Sequence, residues 1–431
     1  MKSIKQIKNL KNKRVLVRVY FNVPIRNGKI LDTFRIEKAM PTINYLRKKG
    51  AQIILMSHLG SESGKTLKPV ADYINKKYFK VELVGLGEVF GGKKTQEELI
   101  TKKHKNLGRN DLLRFASEVP PPKIFMLENL RQNKGEEKND INFAMKLAGL
   151  ADLYVNEAFP VCHRNHASIV SVPKFLPSYA GLQLEEEVKN LSLALKPVHP
   201  FLFVLGGAKF DTKIPLIHKF LGLASKDNAR HASAEADAIF VGGALMNNFY
   251  KEEGLDVGKS LVEKENFGLM KLCNSGKIIL PIDVVVESTK ARKHESTETR
   301  KRITSVDKAP EYVLKNEAIM DIGPYSTEIL VSLIKQAKFV LMNGPMGNYE
   351  AGFGKATEEA IKALAKSKAK VIIGGGDTVA LISRLEKKGL KVGKNIFVST
   401  GGGATLDFLA SGTLPGIEAL ESIKAQKTLK H

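Results

Sequence analysis

Ten short apolar runs recur along the 431 residues, and none shows the strict alternation of a strand with one wet face. They are RVLVRVYF (14–21), QIILMSHL (52–59), KIFML (123–127), DLYVNEAF (152–159), FLFVLGG (201–207), AIFVGG (238–243), KIILPI (277–282), KFVLMNG (338–344), KVIIGGG (370–376) and NIFVSTGGG (395–403). Continuous Val, Ile, Leu and Phe suits strands buried on both faces, as in a parallel sheet covered by helices. The longer helix-like segments between them point to right-handed βαβ units. Ten strands exceed one ordinary open sheet, and the length exceeds one domain of about 100–200 residues. The expected fold class is α/β, with two doubly wound, Rossmann-like parallel-sheet domains.

LQLEEEVKNLSLALK (182–196) repeats Leu184, Val188, Leu191 and Leu195 at helical spacing, and PVHP (197–200) stops it because proline cannot continue a helix. The expected division is therefore a domain over 1–184, an interdomain helix and hinge over 185–199, a second domain over 200–411 and a tail over 412–431. The charged stretch 290–312 lacks apolar periodicity and reads as an exposed loop.

Cys162 and Cys273 are too few and too far apart for a disulfide framework or a thiolate metal site. No uncharged apolar run approaches the roughly 18 residues of a membrane helix, and the lysine-rich N-terminus is not followed by the apolar core of a secretion signal. A cytoplasmic protein is expected. Lys plus Arg (68) against Asp plus Glu (45) leaves a formal +23, which attracts either nucleic acid or anionic metabolites. The lysines are spread along the chain without nucleic-acid-binding motifs, so the surface reads as generally basic and a nucleic-acid partner is not expected.

Ligands of open parallel sheets bind at the carboxyl ends of the strands. In the first half those ends carry Arg18, Asn22, His58, Arg131, His163, Arg164 and His166, with Arg35 in the segment after the first run. Arginine's planar fork captures phosphate or carboxylate in bidentate fashion, so the set reads as a cradle for a small polyanion. The histidine spacing lacks the glutamate and i, i+4 register of a zinc hydrolase. In the second half the same positions carry glycine: GGAK (206–209), GGA (242–244), NGPMG (343–347), GGGDT (374–378) and STGGGA (399–404). Glycine admits a phosphate close to the backbone, and helix N-termini favour anions. With Lys209, Lys213 and Asp377 these loops favour a nucleotide and its metal; magnesium takes one or two carboxylates plus substrate phosphate. Neither a P-loop nor a dinucleotide fingerprint is present. Two anionic substrates on two lobes describe a phosphoryl-transfer enzyme.

The motifs VLVRVYFNVP, DTFRIEKAMPT, ILMSHLG, MLENLR, LADLYVNEAF, HRNHAS, LGGAKFDTKI, LPIDVVV, DIGP, NGPMGNYE, GGGDT and STGGGAT, in this order across nearly the whole chain, resemble phosphoglycerate kinase. The resemblance implies reversible phosphoryl transfer between ATP and 3-phosphoglycerate, giving ADP and 1,3-bisphosphoglycerate, with magnesium and hinge closure. It makes the first domain the acid-binding lobe and the second the nucleotide lobe, and returns the tail to the first domain. A monomer is expected. Carried over by position, Asn22, His58, Arg131 and Arg164 hold the acid, with His163 and His166 lining the basic patch. Arg35 stabilises the equatorial oxygens of the moving phosphoryl group, and Lys209 and Lys213 contact nucleotide and phosphate. Glu350 meets the ribose, Gly375, Gly376 and Thr378 the phosphates, and Asp377 the magnesium. Gly401, Gly402 and Gly403 place helix N–H groups near the transition state.

Four departures stand out. Tyr20 occupies the carboxylate position of the family's VRVDFNVP, and Ser61 the arginine position of SHLGRP. Glu157 and Pro160 replace residues of VNDAFG, and an insertion falls at 225–238. They keep open a kinase of the same mechanism for another phosphorylated carboxylic acid, or a weakly active basic nucleic-acid-binding relative.

Overall fold

The computed structural model describes residues 1–60, 64–90, 124–208, 210–223, 234–265, 267–290, 298–305 and 313–421. It divides into two compact units, Met1–Val188 together with the segment beginning at Thr413, and Lys189–Gly412. The division falls inside the helix Leu182–Leu193.

Each unit holds a six-stranded sheet that is parallel throughout. In the first the order is Val81–Val84, Ile124–Leu127, Gln52–Met56, Arg14–Arg18, Leu153–Asn156, Ser178–Ala180. In the second it is Ile278–Ile279, Ala238–Val241, Phe201–Leu205, Phe339–Asn343, Lys370–Gly374, Ile396–Val398. Both are covered by helices, as the unbroken apolar runs require. Every residue of Phe201–Leu205, Phe339–Asn343 and Ile124–Leu127 is buried. Two strands of the first sheet, Val81–Val84 and Ser178–Ala180, escape the apolar-run criterion because they are short edge strands with half-buried positions.

Register decides what the strand ends deliver. Arg18 pairs with both Met56 and Asn156, so the segments after these three strands leave the sheet at one edge. Leu205 is level with Val241 and Asn343, and Asn343 with Gly374, which brings their glycine loops to one edge of the second sheet.

The reading of 290–312 as loop is corrected in part. Asp283–Lys290 pairs antiparallel with Glu298–Ser305 on one side and Glu317–Ile322 on the other. Burial alternates along the central strand, with Val284, Val286 and Ser288 inside. Glu298–Ser305 is an edge strand, where charges are tolerated, and its Arg302 pairs with Glu317 at 2.6 Å. Residues 291–297 and 306–312 lie outside the described residues, as do 225–233 of the insertion.

Helix starts follow local chemistry. Asp140 caps Ile141–Ala148 by accepting from the Phe143 N–H at 2.7 Å, and Asp32 accepts from Phe34 N–H at the start of Phe34–Lys48. The second of these helices carries Arg35 in its first turn. At the other end of the chain, Pro415–Glu421 belongs to the first unit. Gly416 N–H donates to the Cys162 carbonyl at 2.8 Å, and the N-terminal ammonium pairs with Glu421 at 2.9 Å.

Candidate functional site

In the first unit the sheet edge carries a network built on Arg18, which is fully buried. Its Nε donates to Ser168 Oγ at 2.9 Å, Nη1 to the Val19 carbonyl at 2.5 Å and Nη2 to His58 Nδ1 at 2.9 Å. Glu136, equally buried, lies 3.9 Å from the guanidinium and receives the Ser168 hydroxyl at 2.6 Å. Burial pulls the Arg18 pKa down and Glu136 raises it; with all three donor bonds satisfied it remains the cation of the network.

That cation sets the state of the histidines. Because Arg18 donates to Nδ1, the proton of a neutral His58 resides on Nε2. Burial, and then the Arg18 and Arg131 charges, hold the His58 pKa well below the usual imidazole range. His166 is pushed to about 4 by burial and by Arg18, with Glu136 3.8 Å away. His58 and His166 therefore contribute hydrogen-bonding groups without charge, and the positive charge near them comes from the guanidinium groups. Arg164 is exposed, and its Nε donates to His163 Nε2 at 3.4 Å.

A second strand of the network runs through Gly60. Asn22 Oδ1 accepts from the Gly60 N–H at 2.9 Å, while Arg131 Nη1 donates to the Gly60 carbonyl. Arg131 Nε also lies 3.0 Å from Glu137. Arg35 Nη1 donates to the Asn22 carbonyl, and its guanidinium carbon sits 4.9 Å from the centroid of the Tyr20 ring. The Tyr20 and His58 ring centroids are 5.5 Å apart. Tyr20, Asn22, Arg35, His58 and Arg131 are thus brought together; Ser61 lies outside the described residues.

In the second unit a cavity of about 490 Å³ opens at the glycine-loop edge. Glu350 and Asp377 line it, together with Gly207, Gly243, Asn247 and Pro345. Asp377 occupies the first turn of Gly376–Lys387, whose N-terminus carries Gly375, Gly376 and Thr378. Gly401, Gly402 and Gly403 precede or open Gly403–Ser411, beyond the edge strand, and are not part of the cavity wall. Lys213 is buried, with Nζ donating to the Gly206 carbonyl; Lys209 lies outside the described residues.

The glycines divide into two kinds. A Cβ on Gly243 would collide with the Gly207 backbone, and one on Gly344 with Gly206, so these glycines let the loops pack on one another. Gly376, Gly402 and Gly403 face open space, the condition for an anion to approach the backbone. Asn247 Oδ1, Asn343 Nδ2 and Thr378 Oγ1 are buried without a hydrogen-bond partner among the described residues. Of the three, Asn247 lines the cavity, and Thr378 directly follows the cavity-lining Asp377 in the chain. Buried polar groups are seldom left unpaired, so this grouping marks the cavity for a polar ligand.

A family model described as phosphoglycerate kinase matches residues 4–412. The chain belongs to the phosphoglycerate kinase family. Among curated relatives, phosphoglycerate kinase of Finegoldia magna is 38% identical over 434 residues, covering 97% of this chain and 99% of the relative. That of Thermosipho africanus is 39% identical over 432 residues, covering 96% and 97%. Of solved structures, the phosphoglycerate kinase of Coxiella burnetii aligns with a TM-score of 0.75 at 33% identity, over 97% of this chain and 98% of the other. That of Pyrococcus horikoshii aligns with 0.76 at 28% identity, over 98% of each. Membership makes the chain a kinase, a phosphotransferase with small-molecule substrates, in a family that uses ATP and ADP. Among the described residues no helix is long and apolar enough to cross a membrane.

Several participants were not singled out from sequence. Glu136 lies in the charged run KGEEKND and Ser168 closes the HRNHAS motif, but neither residue carries an assigned role there. The one available signal for Asn247 is its amide within the apolar helix GALMNNFY.

Proposed function

We propose that the chain transfers a phosphoryl group reversibly between ATP and the carboxylate of 3-phosphoglycerate, the first unit binding the acid and the second the nucleotide. The observation that supports this best is the Arg35–Asn22–Gly60–Arg131 network beside a neutral His58. A carboxylate nucleophile carries no proton to remove, so the site needs cations and donors in place of a general base. Arg131 and Arg164 bind the acid's anionic groups, Asn22 and the His58 Nε2–H orient it, and His163 and His166 border it. Arg35 supports the equatorial oxygens as charge redistributes around phosphorus. Lys209 and Lys213 serve the phosphates; for Lys213 this means exchanging its present carbonyl partner for a phosphate oxygen. Glu350 binds the ribose, and the Gly375–Thr378 helix start the nucleotide phosphates. The Gly401–Gly403 turn supplies open N–H donors near the transferring group.

Magnesium fits the residues at the cavity. Asp377 is an exposed carboxylate on its wall, and no cage of three or more ligating side chains occurs among the described residues. One carboxylate plus nucleotide phosphates is the usual magnesium arrangement, in which the ion neutralises developing phosphate charge. We also propose a cytoplasmic, monomeric enzyme, in keeping with the free thiols of Cys162 and Cys273.

A coupled assay with 3-phosphoglycerate, ATP and magnesium tests the reading, and absence of turnover at millimolar substrate overturns it. Tyr20 within the acid cluster favours one competing reading, a different phosphorylated carboxylic acid. Higher kcat/KM for another acid in a panel would select that reading.

A further inference from the structure

We propose that Tyr20 is a positioning residue that holds Arg35 as an uncompensated cation; the inference rests on the phosphoryl-transfer reading and deepens it. Arg35 has two anchors, the Asn22 carbonyl at Nη1 and the face of the Tyr20 ring 4.9 Å from the guanidinium carbon. Among the described residues no carboxylate pairs with it. A cation within about 6 Å of a ring centroid is attracted by the ring's quadrupole without losing its charge. The ring thus fixes the direction of a long, flexible side chain and leaves the remaining N–H donors to a phosphoryl oxygen.

The platform is itself fixed. Tyr20 packs against buried Ala158, Val161 and Ile169 on one side. On another it meets His58 at 5.5 Å, with planes tilted by 53°, and His58 is pinned through Nδ1 by buried Arg18. Arg35 is therefore connected through one aromatic layer to the most deeply buried cation of the unit. Preorganisation of this kind acts on the chemical step, because the donor need not reorient as phosphorus moves.

The test compares Tyr20→Phe, which keeps the ring, with Tyr20→Leu, which keeps the apolar contact to Ala158 and Ile169 but removes the quadrupole. With ATP, magnesium and 3-phosphoglycerate, the Phe variant should retain kcat within about twofold, while the Leu variant loses about 5- to 30-fold. KM for ATP should stay unchanged in both, and in an Arg35→Ala background Tyr20→Leu should have no further effect. Equal losses in the Phe and Leu variants would assign the role to the hydroxyl and overturn the proposal. So would a Leu variant with wild-type kcat. A second readout is independent of turnover: in chain labelled with 15N-arginine, the Arg35 Nε–H signal, identified by its loss in Arg35→Lys, should be ring-current shifted. That shift should persist in Phe and vanish in Leu; its absence from the wild type refutes the placement. An inactive wild type that shows the shift would reject the phosphoryl-transfer reading alone.

Discussion

Residue type names a chemistry, and surroundings decide which form of it operates. His58 and His166 stand among arginines and are desolvated, which lowers both pKa values and keeps both rings neutral at neutral pH. The acid substrate should consequently meet the same set of protein charges from pH 6.5 to 8.5. Its KM should vary by less than about twofold over that range, beyond what the substrate phosphate's own ionisation near pH 6 contributes. A KM rising tenfold through pH 7, abolished in His58→Gln, would show that an imidazolium binds the acid. Arg35 makes the complementary case. Arg35→Ala should lower kcat by about 10²-fold or more while changing the acid's KM by only a few-fold, because the charge matters chiefly as phosphorus moves. Steady-state kinetics in both substrates separates the two effects, and equal changes in KM alone would assign Arg35 to binding.

At the scale of elements, Glu157 shows how a side chain positions a helix. It is fully buried, accepts from Thr42 Oγ1 at 2.6 Å and from the Gln183 N–H at 3.1 Å, and so caps Leu182–Leu193. A Cβ on Gly181 would collide with its carboxyl oxygen, so the glycine makes room for this longer acid. Burial outweighs these donors and raises the Glu157 pKa to about 8. A raised carboxyl pKa means that the folded state holds the proton more tightly than the unfolded state. Its contribution is complete below the unfolded value near 4.5 and is lost as pH rises through 8. Between pH 7 and 9 the wild type should lose about 1 kcal/mol relative to Glu157→Gln, measurable by urea unfolding at each pH; parallel curves for the two proteins would refute the assignment. The glycine loops offer a paired contrast. Gly243→Ala forces a Cβ onto the Gly207 backbone and should destabilise by about 1–3 kcal/mol. Gly376→Ala meets open space and should leave the melting temperature within about 1 °C while raising KM for ATP several-fold, since its methyl would stand where phosphate approaches. Thermal melts and ATP kinetics on the two variants distinguish loops that pack from loops that bind.

At the scale of the whole molecule, the chain returns to the first unit after Gly412, and residues 422–431 lie outside the described residues. Pro415–Glu421 packs in that unit, with Gly416 pressed against Cys162 and Ile169. Gly416→Val should therefore destabilise the first unit by about 2 kcal/mol and weaken acid binding while leaving ATP affinity unchanged. Calorimetry with each ligand separately reads this out, and loss of ATP binding instead would show that the tail serves the second unit.

Much of the architecture was legible because strand burial is a local pattern. Phe201–Leu205 and Phe339–Asn343 are apolar at every position since both faces are covered, and the groups after each strand follow from connectivity alone. The arginine-bearing edge and the glycine-bearing edge, with Asn22, Arg35, Arg131 and Asp377 at them, were readable for that reason, whereas Glu350 came only with the family resemblance. Strand Glu298–Ser305 was not, because an edge strand bonds through its backbone and its side chains can be any charge. Nor did residue identity disclose that His58 is neutral, that Glu136 and Ser168 surround Arg18, or that some glycines serve packing and others face open space. Those properties depend on desolvation and on neighbours as far as 150 residues away along the chain, as with Arg18 and Ser168. The amino-acid order specifies which groups arrive at each sheet edge; three-dimensional burial and register decide their protonation, their partners and the direction in which they point.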